Sequence, residues 1–191
     1  GNTLPAQIIQ AENCQKILLQ AKNLPALGYK TFKLAVRSAS GSNLIVTKEY
    51  IENDYYQIRL NEKGQIISLF DKRLVREVLA KGARGNVLQT FEDKPMNFDA
   101  WDVDLYYQEK MREIDHLAAV EVHEEGPIRG SLKLTWEFYD STITQYITVY
   151  KHSPRIDFIT KANWQEKQTL VKVAFPVDVR STKATFDIQF G

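Results

Sequence analysis

Leu132-Lys133-Leu134-Thr135-Trp136-Glu137-Phe138 alternates apolar and polar side chains without a break. In an extended backbone successive side chains point to opposite faces, so Leu132, Leu134, Trp136 and Phe138 share one face while Lys133, Thr135 and Glu137 share the other. One face is dry and the other wet. The same period runs through Tyr56, Ile58 and Leu60, through Ile156, Phe158 and Thr160, through Val171, Val173 and Phe175, and through Ala184, Phe186, Ile188 and Phe190. Ile143 to Tyr150 is rich in Ile, Thr, Val and Tyr, types that suit a pleated, half-buried surface. Turn-forming clusters separate the runs: Asn61-Glu62-Lys63-Gly64, Glu124-Glu125-Gly126-Pro127, Asp140-Ser141 and His152-Ser153-Pro154. Sheets that hide one face and wet the other produce this rhythm, so the expected fold is an all-β antiparallel sandwich.

Two stretches break the period. Leu74, Val75, Val78 and Leu79 have a spacing that suits one face of a short helix, yet Gly82 and Gly85 leave it little room, and the segment stays open between helix and strand. Residues 92–108 mix acids, an amide and aromatics with no period, which predicts a long loop or a single helical turn. The run Ser38-Ala39-Ser40-Gly41-Ser42-Asn43 reads as a link between packed units. Residues 1–40 supply about three strands, near Ala6 to Gln10, Lys16 to Lys22 and Tyr29 to Val36, too few for a core of their own. They read as the tail of a smaller sandwich, and residues 41–191 as the N-terminal part of a larger one.

Composition narrows the function classes. A chain of 191 residues, 43% hydrophobic and 26% charged, buries a sizeable core. Its 25 Lys and Arg nearly cancel its 24 Asp and Glu, so it lacks the field that holds nucleic acid or an anionic membrane surface. Apolar runs such as Leu117 to Val120 fall far short of the ~20 residues a membrane helix needs. Cys14 is alone, which excludes an internal disulfide and fits a reducing, cytoplasmic location. No leader pattern opens the chain, and Gly1-Asn2 reads as an added pair, so a natural start upstream is expected. Gly191 follows a strand pattern with no terminating structure, so more of the large sandwich is expected beyond it. An edge left open in that way invites self-association, and a homo-oligomer formed through it would be a product of the cut.

His116, His123 and His152 show no metal-ligand spacing, and no Gly-x-Ser-x-Gly elbow is present, so the sequence marks neither a zinc site nor a serine triad. Convergent chemistry sits in one loop, at Asp99, Trp101, Asp102, Asp104 and Tyr106. Carboxylates accept paired sugar hydroxyls, and Trp or Tyr rings stack on the C–H face of a pyranose. Two other readings stay open. Trp101 and Phe98 would plug the core while Asp99 and Asp102 cap a helical turn or bind backbone amides; or Asp99, Asp102 and Asp104 would hold calcium, without the Gly and distal Glu of an EF-hand loop.

Several words occur in a telling order: Leu24-Pro25-Ala26-Leu27-Gly28-Tyr29-Lys30, Glu52-Asn53-Asp54-Tyr55-Tyr56, and Gly64-Gln65-Ile66-Ile67-Ser68-Leu69-Phe70-Asp71-Lys72. Gly85-Asn86-Val87-Leu88-Gln89, Phe91-Glu92-Asp93-Lys94-Pro95 and Asn97-Phe98-Asp99-Ala100-Trp101-Asp102 follow. Locally, Gly28 would allow a positive-φ turn ahead of a strand, and Asn61 to Gly64 a hairpin turn. As a succession they resemble the region after the catalytic barrel and helical bundle of family 38 glycoside hydrolases, the α-mannosidases, especially the bacterial and cytosolic branch. The resemblance covers nearly the whole chain and implies a large sandwich similar to galactose mutarotase, opened by the Asn-Asp-Tyr-Tyr hairpin.

It also implies a retaining parent enzyme that hydrolyses terminal α-mannosides in mannose-containing oligosaccharides, with an Asp nucleophile and a zinc ion held by His and Asp residues of an N-terminal domain. None of those motifs occurs in this chain. The chain is therefore expected to be inactive alone, with no catalytic residue and no metal, to pack on the catalytic domain, and to offer Asp99, Trp101, Asp102 and Tyr106 to the substrate. Two alternatives are an autonomous carbohydrate-binding module, using rings among Tyr55, Tyr56, Trp101, Tyr106, Tyr107, Trp136 and Trp164, and an epimerase with a His and Glu acid/base pair.

Overall fold

A computed structural model describes residues 4–11, 14–33, 44–99, 101–186 and 188. In chain order, β1 (Ala6–Ala11) pairs with β2 (Cys14–Leu19). A five-stranded meander follows: β3 (Ile45–Val46), β4 (Tyr50–Glu52), β5 (Tyr56–Leu60), β6 (Ile66–Asp71) and β7 (Arg76–Glu77). β8 (Val87–Glu92) then lies between β9 (Met111–Glu113) and β14 (Thr169–Ala174). The longest strands, β10 (Leu117–Glu124), β11 (Arg129–Phe138), β12 (Ser141–Tyr150) and β13 (Ser153–Asn163), form a four-stranded sheet. Every strand pairing is antiparallel, as the alternation predicts. Among the described residues no helix is long and apolar enough to cross a membrane.

The opening heptapeptide becomes the middle of β11. Its register with β12 sets Leu132 opposite Ile147, Leu134 opposite Gln145 and Trp136 opposite Ile143, so these side chains share one face and are all buried. They pack against Ile51, Ile58, Leu60 and Ile66 of the five-stranded sheet, forming one core between two layers. Each such side chain contributes about 1.5–3 kcal/mol by leaving water. The three polar atoms this burial threatens are satisfied: Trp136 Nε1 donates to the Lys63 carbonyl at 2.8 Å, Gln145 Oε1 accepts from Asn86 Nδ2 at 2.7 Å, and Gln145 Nε2 donates to the Thr160 hydroxyl at 3.0 Å. Isolated bridges from Ile66 to Gly85 and from Leu79 to Val177 tie the five-stranded sheet and its continuation to the segments flanking β8 and β14.

Two turns show local chemistry setting this geometry. The Asn61 carboxamide oxygen accepts from the backbone of Lys63 and Gln65, each at 3.0 Å, and closes the β5–β6 hairpin. Gly64 there has φ 74°, and a Cβ on it would lie 2.8 Å from the Trp136 ring, so both backbone and packing require glycine. In the Asn-Asp-Tyr-Tyr word, buried Asn53 accepts from the amides of Tyr55 and Tyr56 at 2.9 and 2.7 Å and donates to the Tyr150 carbonyl at 2.8 Å. One side chain thereby shapes the β4–β5 turn and fastens it to the opposite layer.

The β1–β2 hairpin is held to the sandwich by Gln7. Its amide donates to the Arg129 carbonyl at 2.9 Å and accepts from Ile128 N and Arg129 N at 3.1 and 3.0 Å. The contact is close enough that a Cβ on Gly126 would come within 2.3 Å of the Gln7 side chain.

Some expectations change. In the segment left open, Lys72 to Val75 form a turn into β7; Val75 takes φ 52°, Leu74 and Val75 face solvent, and Leu79 alone of the four enters the core. Residues 29–33 lie in no strand, and the rest of the third N-terminal strand, with the Ser38 to Asn43 link, falls outside the described residues. Gly28 does not adopt positive φ; Asn23, at 55°, takes the left-handed position there. In β14 Val173 is exposed, as is Phe175 just beyond it, because this edge strand covers the core only through Val171 and its immediate neighbours. Ala184, Phe186 and Ile188 are exposed and lie in no strand, and Phe190 falls outside the described residues.

Candidate functional site

Between β8 and β9 the chain leaves the sheet for the loop 93–110, which carries the four sequence-selected residues. Its base is fastened by charge. Glu92, at the end of β8, accepts from both Lys94 and Lys110, and those two ammonium groups hold its carboxyl down to about 2. Lys172 of β14 donates to the Tyr107 hydroxyl at 2.6 Å and lies 4.8 Å from that ring's centroid and 5.8 Å from that of Phe91. The same ammonium lowers the Tyr107 phenol below its usual range. Phe91 and Tyr107 meet edge to face at 5.2 Å. Asp104 accepts from Met96 N at 2.9 Å, bringing the two limbs together just before a 3₁₀ turn at Leu105–Glu109.

Above this base the loop opens. Trp101 N and Asp102 N donate to the Phe98 carbonyl at 2.9 and 3.0 Å, and Phe98 sits at φ 56°. The side chains of the tip point outward: Met96, Phe98, Trp101, Leu105 and Tyr106 are 86, 73, 86, 85 and 70% exposed. This corrects the plug reading, since neither Trp101 nor Phe98 enters the core. Capping is also absent among the described residues: Asp104 begins the 3₁₀ turn without a side-chain cap, and no hydrogen bond reaches the Asp99 or Asp102 carboxylate. Asp99, Asp102 and Asp104 do not converge, and among the described residues no three His, Cys, Asp or Glu side chains meet as a metal site.

Of the four selected residues, only Tyr106 lines the depression of about 240 Å³ under the loop, with Asp104, Tyr107, Glu92, Lys94 and Lys110; Asp99, Trp101 and Asp102 stand clear of it. Sequence reasoning missed the anchors. Glu92 meets Lys110, and Lys172 meets Tyr107, across long stretches of sequence, and no local spacing announces either contact.

The histidines also acquire partners that the sequence concealed. His152 Nδ1 lies 2.8 Å from Asp54, and His116 Nδ1 lies 3.7 Å from Glu137. Both pairs are open to water, where such contacts are weak and a proton has no sheltered route. His123 packs edge-on against Tyr146 at 4.7 Å.

Residues 51–191 match the family model described as "Glycosyl hydrolases family 38 C-terminal domain". "Alpha-mannosidase 2C1" of Homo sapiens is 34% identical over 143 residues, which are 74% of this chain and 14% of that protein. "Alpha-mannosidase G" of Dictyostelium discoideum is 33% identical over 173 residues, 86% of this chain and 15% of that protein. "Alpha-mannosidase" of Saccharomyces cerevisiae is 26% identical over 141 residues, 67% of this chain and 13% of that protein. The chain thus spans well under a fifth of the length of the curated relatives it matches.

Proposed function

This chain belongs to the family of glycosyl hydrolase family 38 C-terminal domains, and from that premise we propose that it is a non-catalytic sandwich segment of a retaining α-mannosidase. In this reading the parent hydrolyses terminal α-mannosides, and the segment buttresses its catalytic domain. Residues 41–191 are the N-terminal part of its large, galactose mutarotase-like sandwich, and residues 1–40 the last strands of a smaller one. In the same reading the zinc that the resemblance implies is held by the catalytic domain. Lone, exposed Cys14 supports a cytoplasmic location.

The observation that carries the proposal is the contrast within the loop 93–110, a charge-fastened base below an exposed aromatic tip. A water-exposed cluster of this kind marks a surface that another body covers. The catalytic domain is that body in our reading, with Trp101 and Tyr106 supplying ring faces, and Asp99 and Asp102 supplying acceptors, at the rim of the sugar pocket. Replacing Trp101 and Asp102 together by Ala in the intact enzyme should lower kcat/KM for a mannoside by about tenfold or more, roughly 1.4 kcal/mol of transition-state binding, with folding unchanged. Unaltered steady-state kinetics in a folded variant would remove the contact. The chain alone should leave nitrophenyl α-mannoside intact; turnover by it would overturn the non-catalytic assignment.

A further inference from the structure

Beside the loop, at the same end of β8, lies a cleft of about 620 Å³ that shares Glu92, Lys94 and Lys110 with the depression under the loop. It is lined by Lys94, Lys110, Arg112 and Lys167 against a single carboxylate, Glu92. A chain whose formal net charge is only +1 has gathered a strongly positive lining into one concavity. Glu92 is already shared by Lys94 and Lys110. Among the described residues neither Arg112 nor Lys167 has a carboxylate partner, and Arg112 spends one N–H on the Tyr139 hydroxyl at 2.8 Å.

The cleft's lip adds a second, independent observation. Tyr139 and Gln168 both line it, and both hold left-handed backbone, at φ 49° and 50°. The two-residue β11–β12 loop demands positive φ at Tyr139 and ordinarily carries Gly, Asn or Asp there; a larger side chain kept in such backbone is common at ligand clamps when surrounding structure enforces it. The enforcement is visible. Glu166 accepts from Asp140 N at 3.2 Å and from the Ser141 hydroxyl at 2.8 Å, while Ser141 in turn accepts from Gln165 N at 2.9 Å. The β11–β12 turn is thereby clamped so that the Tyr139 ring stands 71% exposed, braced edge to face on Phe138 at 4.5 Å. Glycine would fit this turn without strain; tyrosine there supplies a ring at the mouth of a cationic cleft.

We propose that this cleft binds an anionic pyranose, a sugar ring bearing a phosphate or a carboxylate. The anion takes the planar guanidinium of Arg112 and the ammonium of Lys167, and the ring's C–H face lies on Tyr139. The sugar half rests on the glycosidase reading above; the anionic half rests on this cleft's charge alone. The site differs from the loop tip in lining and chemistry, and it would select glycans that carry a charged substituent.

The test titrates the 191-residue chain with mannose 6-phosphate, glucuronic acid, inorganic phosphate and methyl α-mannoside, following amide and side-chain chemical shifts. Saturable shifts at Arg112, Tyr139 and Lys167 with one or both anionic sugars are expected, and which of the two binds identifies the anion. Inorganic phosphate should bind at least tenfold more weakly, and methyl α-mannoside should give no saturation. Arg112→Gln with Lys167→Gln should weaken the anionic sugar at least tenfold. Tyr139→Gly suits the turn's φ and so keeps the fold; it should bring the sugar's affinity down to that of inorganic phosphate. No saturation by either anionic sugar, equal affinity for inorganic phosphate, or affinity indifferent to these substitutions overturns the proposal. Because these are binding measurements on this chain, they stand or fall separately from the kinetics of the intact enzyme.

Discussion

Trp136 and Trp101 are the same residue with opposite fates. Trp136, 1% exposed, closes the core between β11 and the β5–β6 turn, with its indole N–H on the Lys63 carbonyl. Trp101, 86% exposed, stands at the tip of a loop whose structure is concentrated in its base. The first lies in a period that sets its apolar residues on one buried face of the sheet, and the second in a stretch with no period. Apolar surface in the four-stranded sheet is thus used for stability within this chain, whereas apolar surface in the loop is available to something else.

The sharpest way to break that contrast is to delete both rings. Trp136→Ala should cost about 3–5 kcal/mol in urea or thermal unfolding, and Trp101→Ala should stay within about 0.5 kcal/mol. Similar losses would mean that the loop tip is packed in solution. Next in size, Gly64→Ala places a Cβ against the Trp136 ring at a positive φ. It should cost about 2–3 kcal/mol by the same assay, from the left-handed backbone and the overpacked ring together. Gln7→Ala removes three hydrogen bonds to residues 128 and 129 and should cost about 1–2 kcal/mol while sparing the core transition.

The smallest effect belongs to the loop's base. The Glu92 carboxyl sits near 2 in the folded chain against an ordinary 4.5, so its contribution is complete above about pH 4.5 and is lost as pH falls toward 2. Protection factors of the Met96 and Tyr107 amides, taken against the intrinsic exchange rate at each pH, should fall as pH drops through that window, and in Glu92→Gln they should already be low at neutral pH. Protection that is flat through the window in the unsubstituted chain would show that the aromatic contacts hold the base without Glu92.

What the sequence made legible follows from the range of the interactions concerned. β11, β12 and the Asn61 to Gly64 turn were readable because alternation and turn chemistry act between near neighbours. Residues 92–108 were readable as a long loop or a single helical turn for the same reason, since the lack of a period is itself a local signal. Alternation marks a face but does not say what covers it. Val173 and Phe175 therefore looked like core residues, although their strand is an edge that leaves them wet. The segment from Leu74 to Leu79 stayed open because its spacing is a local signal, whereas the pairing of β7 with β6 that makes it a hairpin is not. The candidate sites were least visible. Glu92, Arg112, Tyr139 and Lys167 meet only because strand register and one clamped turn bring distant positions to the same end of β8.

The Gln7 clamp also dictates an order of events when the chain folds. It joins positions 121 and 122 residues apart, and closing so long a loop costs about 4 kcal/mol in chain entropy. Its three hydrogen bonds together net about 1–2 kcal/mol, too little to capture the opposite end unaided. The β1–β2 ribbon can zip in microseconds, yet it must wait for β10 and β11 to present the 126–129 corner before it has anywhere to dock. A refolding experiment should find the first strand pair among the last pieces to gain protection.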